Sequence, residues 1–191
     1  MTKIFAHRGA SAYAPENTME AFHLAAKQGA DGIELDVHVT KDGEVVVTHD
    51  EKIDRVSNGS GFVKDMTLRE LKRLSFHNHM ESYVGAGIPT LREVLEFVKT
   101  TTMAVNIELK TGLYWYPNIE EKTVALVHEL GMQDRIIYSS FNHHSIAKLK
   151  EIDSAAETAW LFSDVMLSSM QRQMVWRVFI RLFIICICLI L

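Results

Sequence analysis

Short apolar runs alternate with segments of helical periodicity along most of this chain. Six runs have the length and composition of strands, at residues 3–7, 33–37, 45–48, 103–109, 135–139 and 158–162. Strands that alternate with helices are typical of parallel βαβ units, in which each helix crosses back over the sheet. The alternation therefore predicts an α/β fold built on a mainly parallel sheet.

The helical segments carry clear start and stop signals. Two of them open with a capping box, Thr67–Glu70 and Thr90–Glu93, in which a threonine and a glutamate satisfy each other's backbone N–H groups. The other predicted helices are one capped by Asn17 or Thr18 and ended by Gly29, one over residues 119–130 ended by Gly131, and one over residues 143–152. The sequence Lys41-Asp42-Gly43 predicts a turn between the second and third strands.

Composition and charge limit the class of protein. The chain has 191 residues, 48% hydrophobic and 23% charged, which fits one globular domain with or without an appendage. Three of the 20 basic residues and one of the 24 acidic residues lie from Asp164 onward, so the preceding body carries a net charge of −6. An acidic body argues against nucleic-acid binding. Both cysteines, Cys186 and Cys188, lie in the final run, so the body has neither a disulfide framework nor a thiolate metal site.

Four polar segments occur at or near the ends of predicted strands. They are His7-Arg8-Gly9, Glu34-Leu35-Asp36, His49-Asp50 and Glu108-Leu109-Lys110. Because buried polar groups are costly without partners, we expect the four segments to share one pocket. Polar groups delivered by several strands are typical of a (β/α)8 barrel, whereas a doubly wound open sheet gathers its ligands at one switch point. The sequence therefore predicts a TIM-type barrel, with the doubly wound sheet as its rival.

Three acidic residues in these segments suit a metal ion. Glu34 and Asp36 are two residues apart on one predicted strand, so their side chains point to the same face, and the positions between and beside them are apolar. Glu108 lies on the fourth predicted strand. Three carboxylates without a cysteine favour a hard cation, Mg²⁺ or Ca²⁺, over zinc. The alternative is that Glu34 and Asp36 simply line an exposed strand face.

Two histidines and two basic residues complete this set. His7 and His49 can divide general acid and general base work, because histidine has the unperturbed pKa nearest neutrality. Arg8 and Lys110 are placed to hold a phosphate, Arg8 through its bidentate fork and Lys110 as a point charge; the alternative is an ion pair with the carboxylates. His38, on the same strand face as two of the carboxylates, is a candidate supporting residue. Together these groups are what metal-assisted attack on a phosphate ester requires.

A series of short motifs runs through the chain in a fixed order. They are His7-Arg8-Gly9 with Pro15-Glu16-Asn17-Thr18, Gly32–Val37, Thr40–Gly43, His49-Asp50, Gly61–Asp65 with Thr67-Leu68, Ile88–Leu91, and Asn106–Lys110. In this order and spacing they resemble the glycerophosphodiester phosphodiesterase family, over about residues 3 to 163. Each motif is weak alone, and the specificity comes from their combination.

The resemblance implies a TIM-type barrel with a small insertion after the third strand, here about residues 52–87. It also implies hydrolysis of a small-molecule glycerophosphodiester to an alcohol and sn-glycerol 3-phosphate. The implied roles are His7 and His49 as the acid–base pair, Glu34, Asp36 and Glu108 as ligands of Mg²⁺ or Ca²⁺, and Arg8 and Lys110 as contacts to the substrate phosphate.

The resemblance stops near residue 163. A closed barrel needs eight strands and typically ~250 residues, whereas six strands are predicted here. The chain continues instead with a run from Met174 to Leu191 that is apolar except for Arg177 and Arg181. We therefore predict an incomplete barrel over residues 1–163 and an aberrant tail over residues 164–191.

The tail has three interpretations. The favoured one is a segment out of register with the ancestral sequence, as after a frameshift. The second is a membrane anchor, but the uninterrupted apolar run from Leu182 to Leu191 is far shorter than the ~20 residues that span a bilayer, so contact of residues 174–191 with a membrane surface is its better form. A native seventh strand is the least favoured. No signal peptide precedes the first strand, so the cytoplasm is the expected location.

Two other functions stay open at this point. A barrel phosphodiesterase of the phospholipase C or D type shares paired histidines and a carboxylate-bound metal. The other is an inactive, membrane-associated remnant that keeps the site residues without the full scaffold. Because a six-stranded fragment leaves unpaired edges and an exposed core, we expect the chain expressed alone to be insoluble or poorly active.

Overall fold

The structure is a computed structural model that describes residues 3–162. One sheet contains the strands β1 (Phe5–His7), β2 (Gly32–Val39), β3 (Val45–Val47), β4 (Ala104–Leu109), β5 (Ile136–Ser140) and β6 (Glu157–Trp160). The α-helices of this part are α1 (Met19–Lys27), α2 (Leu68–Leu71), α3 (Leu91–Lys99), α4 (Ile119–Leu130) and α5 (His143–Ile152). The tail predicted over residues 164–191, with all three of its interpretations, lies outside the described residues.

The order of the strands distinguishes the two predicted architectures. β1, β2, β4, β5 and β6 lie side by side in chain order, and each pair of neighbours is parallel. A doubly wound sheet reverses its strand order at a switch point, and no such reversal occurs between residues 3 and 162. The order is that of a singly wound barrel wall, which confirms the prediction of a TIM-type α/β fold.

β3 does not belong to the parallel set, contrary to its predicted place in the ring of strands. It pairs antiparallel with β2, with Val47 opposite Val37 and Val45 opposite Val39. The physical reason is the length of the connection: a parallel crossover needs a dozen or more residues, whereas the turn around Gly43 (φ 88°) links the two strands directly. The described parallel wall therefore has five strands, and β3 folds back along the C-terminal half of β2.

The helix boundaries follow the predicted caps. Thr67 and Thr90 each accept a hydrogen bond from the backbone N–H three residues on, and the glutamates at those positions accept from the threonine N–H groups, so both capping boxes are confirmed. Thr18 caps α1, and Gly131, in the left-handed region at φ 65°, ends α4 as predicted.

The main core lies between the sheet and the helices. On β2, Ile33, Leu35 and Val37 are fully buried in this core with the inner faces of α1, α3, α4 and α5. Because successive strand side chains alternate between faces, the acidic residues of β2 point to the opposite side, away from the helices. The same alternation on β4 separates buried apolar residues from Glu108. One face of the wall thus carries the core and the other carries the polar groups.

The predicted insertion has an apolar cluster of its own. The cluster consists of Val46, Ile53, Val56, Val63, Leu71, Phe76 and Ile88. Since Val46 lies on β3, this second core anchors the insertion to the hairpin formed by β2 and β3. The bounds of the insertion at 52–87 and the domain boundary at 163 stay predictions.

Among residues 3–162, none of the helices combines the length and the apolar character that a bilayer span requires.

Candidate active site

Three buried carboxylates from two neighbouring parallel strands meet on the polar face of the sheet. Glu34 and Asp36 lie on β2, and Asp36 is paired in register with Glu108 on β4. Each residue offers an oxygen, and these oxygens lie within 4.8 Å of one another. The side chains of Asp36 and Glu34 are 1% and 7% exposed, so an exposed strand face, the alternative considered above, is wrong.

Burial and mutual repulsion make this cluster favourable for a nearby positive charge. Burial and, next, repulsion from Asp36 raise the pKa of Glu34 to about 8. The same two causes raise the pKa of Glu108. One oxygen of Asp36, Oδ1, is buried without a hydrogen-bond donor. A close set of hard oxygen donors with an unsatisfied buried oxygen fits a divalent cation.

Two basic side chains lie against these carboxylates. Lys110 Nζ donates to Glu108 Oε1 at 2.9 Å and lies 3.5 Å from Asp36 Oδ1. Arg8 Nε lies 3.5 Å from Asp36 Oδ2, and the Arg8 backbone N–H donates to Glu34 Oε2 at 3.1 Å. Burial alone would lower the pKa of Lys110, but attraction by Asp36 and Glu108 outweighs it and raises the pKa. The ion pairs proposed as the alternative for both basic residues are therefore present.

The connection from β1 to α1 brings an amide into the site. Asn17 is 3% exposed and adopts φ 57°, and its Nδ2 donates to Asp36 Oδ2 at 2.8 Å. Sequence reasoning treated Asn17 mainly as a helix cap, whereas Thr18 caps α1. An asparagine beside a predicted cap was the available signal, because asparagine tolerates the left-handed region better than most residues.

Gly9 allows this connection to pass close to α1. Its φ is 79°, and a Cβ at this position would lie 2.7 Å from Ala21 Cβ and 2.8 Å from the Ala21 carbonyl carbon. We expect Gly9→Ala to destabilise the fold by about 2 kcal/mol or more, because backbone strain and overpacking add. Gly29→Ala is the matched control, since Gly29 has the same φ with nothing within 4 Å. Urea unfolding monitored by circular dichroism measures the free energy of unfolding of both variants. An equal loss of stability in the two would contradict the predicted clash at Gly9.

His7 ends β1 beside the carboxylate cluster. Its Nε2 lies 3.8 Å from Glu34 Oε2, and its side chain is 38% exposed. Burial and, next, the charge of Arg8 lower its pKa, while the acidic groups nearby oppose this shift only in part. His7 is therefore a neutral imidazole near neutral pH, in contact with a carboxylate and partly open to solvent.

His49 follows β3 and is held by its chain neighbour. Its Nδ1 lies 2.5 Å from Asp50 Oδ1, a contact in which the ring N–H donates to the carboxylate. Burial would raise the pKa of Asp50, but hydrogen bonds from Arg55 and His49 outweigh it and lower the pKa to about 2. Asp50 is thus ionised at neutral pH and fixes the ring of His49 through Nδ1. This leaves Nε2 as the ring nitrogen that can accept or donate a proton.

His38 holds the backbone of His49 and is itself held by Tyr116. Sequence reasoning missed the contact with Tyr116. Burial lowers the pKa of His38 and raises that of Tyr116, so both are neutral. The Tyr116 hydroxyl donates to His38 Nδ1 at 2.8 Å, and His38 Nε2–H donates to the backbone carbonyl of His49 at 3.0 Å. Nothing in the pattern around Tyr116 indicated this contact, because the two residues are 78 positions apart.

The chain is similar in sequence to one protein family and to several of its curated members. The sequence model of the "Glycerophosphoryl diester phosphodiesterase family" matches residues 7–185. A glycerophosphodiester phosphodiesterase of Caldanaerobacter subterraneus subsp. tengcongensis is 50% identical over 152 residues, which are 79% of this chain and 63% of that protein. One of Bacillus altitudinis is 48% identical over 86% of this chain and 68% of that protein. The chain therefore spans about two thirds of these relatives.

The chain is also similar to solved structures of phosphodiesterases. The crystal structure of a glycerophosphodiester phosphodiesterase from Agrobacterium tumefaciens has a TM-score of 0.76 and 40% identity, over 83% of this chain and 66% of that one. The structure of an Oleispira antarctica phosphodiesterase in complex with the product sn-glycerol-3-phosphate has a TM-score of 0.79 and 30% identity, over 93% of this chain and 72% of that one.

Proposed function

Since this chain belongs to the glycerophosphoryl diester phosphodiesterase family, we propose that it hydrolyses glycerophosphodiesters to an alcohol and sn-glycerol 3-phosphate, with a divalent cation as cofactor. The observation that carries the proposal is the convergence of Glu34, Asp36 and Glu108 on oxygens within 4.8 Å. His7, whose Nε2 lies 3.8 Å from Glu34 Oε2, and His49, whose charge acts on Glu108, are the groups that would transfer protons. The product named for the Oleispira enzyme supports the substrate class.

The three carboxylates would hold the cation. An all-oxygen donor set suits Mg²⁺ or Ca²⁺. When bound, the cation supplies Lewis-acid stabilisation of the phosphate charge. Arg8 and Lys110 would hold the phosphate oxygens of the substrate, Arg8 through a bidentate fork and Lys110 as a point charge.

The two histidines are suited to proton transfer in different ways. His49 is fixed by Asp50 at Nδ1, so its Nε2 is the atom that accepts or donates a proton. His7 is neutral near pH 7 because its pKa is lowered, so it begins as a proton acceptor. A pair of imidazoles can thus remove a proton from the attacking oxygen and return one to the departing alcohol.

Binding of the cation should release protons and should strengthen as pH rises. Below a pKa of about 8 the metal-free site keeps a proton on Glu34, and the cation needs this carboxylate ionised. The apparent affinity should therefore increase from roughly pH 6 to about pH 8 and level off above. Calorimetric titration of the full chain with Mg²⁺ or Ca²⁺, in buffers of different ionisation enthalpy, measures the protons released. Binding of constant affinity without proton release would contradict this prediction.

The proposed activity is tested on the full chain with glycerophosphocholine as the substrate. We expect glycerol 3-phosphate and choline to form in the presence of Mg²⁺ or Ca²⁺, and chelation of the cation to stop the reaction. Release of phosphocholine instead would indicate the phospholipase C type. A folded chain that binds a divalent cation but releases neither product would contradict the proposed activity and support the inactive remnant.

Location and membrane contact belong to the same proposal. A cytoplasmic location is part of this proposal. Contact of residues 174–191 with a membrane surface stays a prediction, and co-sedimentation of the full chain with anionic lipid vesicles tests it.

A further inference from the structure

Arg55, in the segment that follows β3, makes three directed hydrogen bonds to two carboxylates. Its Nε donates to Asp50 Oδ2 at 2.7 Å. Its two terminal nitrogens donate to the two oxygens of Glu16, at 2.9 and 2.8 Å. The guanidinium of Arg55 thus joins the loop after β3 to the loop after β1. Arg55 and Glu16 are 39 positions apart in sequence.

Each carboxylate continues to a residue of the candidate active site. Asp50 holds His49 Nδ1 through its other oxygen. Glu16 Oε1 accepts a hydrogen bond from the Arg8 guanidinium at 3.0 Å. An uninterrupted series of charge-assisted hydrogen bonds therefore runs from the imidazole of His49, through Arg55, to the guanidinium of Arg8.

The charges in this series are matched. Two arginines alternate with two carboxylates, and the Glu16 side chain is only 12% exposed. Burial would raise the pKa of Glu16, but its bonds to the arginines outweigh this and lower the pKa. Loss of Arg55 would leave Glu16 with one cationic partner and would leave Asp50 free to rotate away from His49.

We propose that Arg55 is a positioning residue, which holds the imidazole of His49 and the guanidinium of Arg8 in a fixed relative geometry through Asp50 and Glu16. The proposal rests on the proposed function, because that function gives His49 and Arg8 their roles. The hydrogen bonds of Arg55 go to Asp50 and Glu16 and not to the carboxylate cluster. A lysine cannot replace it, since one ammonium cannot bond both carboxylates with three directed N–H groups.

The two arms of the series should affect different kinetic constants. Asp50→Asn disturbs the proton-transfer residue and should lower kcat with little change in KM. Glu16→Gln disturbs the phosphate contact and should raise KM. Arg55→Met should lower kcat and raise KM together. We expect kcat/KM to fall roughly tenfold or more, which is typical for residues that orient reactive groups. Asp50→Asn should cost little more once Arg55 is replaced, because both act through His49.

The experiment uses the full chain and two readouts that do not depend on turnover. The ring nitrogen signals of His49, assigned by their loss in His49→Asn, report its orientation in nitrogen NMR. Titration with sn-glycerol 3-phosphate reports the Arg8 contact. Arg73→Met is the matched control, since it makes the same substitution at an exposed arginine of the same segment.

The expected result is that Arg55→Met and Arg55→Lys move the His49 signals and weaken sn-glycerol 3-phosphate binding, whereas Arg73→Met does neither. Thermal unfolding shows that each variant is folded. If the wild-type chain does not hydrolyse glycerophosphodiesters but its His49 signals still respond to Arg55→Lys, the proposed function fails and the positioning role stands. Unchanged His49 signals in folded Arg55 variants, or unfolding of both variants, would overturn the inference.

Discussion

Asp36→Asn is expected to abolish binding of the divalent cation and to lower kcat/KM by about 100-fold or more. Asp36 repels both of the other carboxylates, its Oδ2 accepts from Asn17 Nδ2, and its buried Oδ1 has the Lys110 ammonium 3.5 Å away. An asparagine keeps one oxygen only. Whichever way its amide turns, the NH₂ group faces either the NH₂ of Asn17 or the ammonium of Lys110, and both of these are donors.

The effect of Asp36→Asn is measured by calorimetry with Mg²⁺ or Ca²⁺ and by hydrolysis of glycerophosphocholine. Asp134→Asn, the same change at an exposed aspartate before β5, is the matched control and should leave both unchanged. Circular dichroism separates a lost ligand from a lost fold. Cation binding by a folded Asp36→Asn chain with wild-type affinity would remove Asp36 from the proposed site.

His49→Asn is expected to lower kcat by about 100- to 10,000-fold, the usual contribution of a general acid or base. Cation affinity should stay within about twofold of the wild type, because His49 contacts Asp50 rather than the carboxylate cluster. The two substitutions therefore differ in kind. Asp36→Asn removes the cation and the activity together, whereas His49→Asn removes the activity from a protein that still binds the cation.

Kinetics with saturating Mg²⁺ or Ca²⁺ measure the effect of His49→Asn. His79→Asn is the control, since His79 is exposed and asparagine tolerates its φ of 60°. A kcat within threefold of the wild type would show that His49 is not the proton-transfer residue, and His7→Asn would then be the variant of interest.

Much of the fold was predictable because its signals are local. The capping boxes at Thr67 and Thr90 depend on residues three positions apart, and the structure contains both. The alternation of acidic and apolar residues along β2 predicted which side chains share a face. The direction of β3 was missed, because an apolar run identifies a strand but carries no information on the strand it pairs with. The short turn at Gly43 was the local signal for an antiparallel pair.

The candidate site likewise contains residues that could be selected from the sequence and residues that could not. Glu34, Asp36 and Glu108 could be selected from the sequence, since each lies on an apolar strand where a carboxylate needs a reason. Arg55 and Tyr116 could not be selected, because they lie in polar or aromatic segments where such residues are ordinary. Their contacts to Glu16 and His38 cross 39 and 78 positions, and only the fold brings them together.

The sequence by itself determined the family, the alternation of strands and helices, and the inventory of carboxylates, imidazoles and basic groups, because these depend on residue type and near spacing. The tertiary structure decided that β3 folds back on β2 and that the three carboxylates meet. It also decided which basic groups and which amide face those carboxylates. These outcomes depend on strand register and on contacts between distant segments, where packing and burial rather than local preference set the free energy.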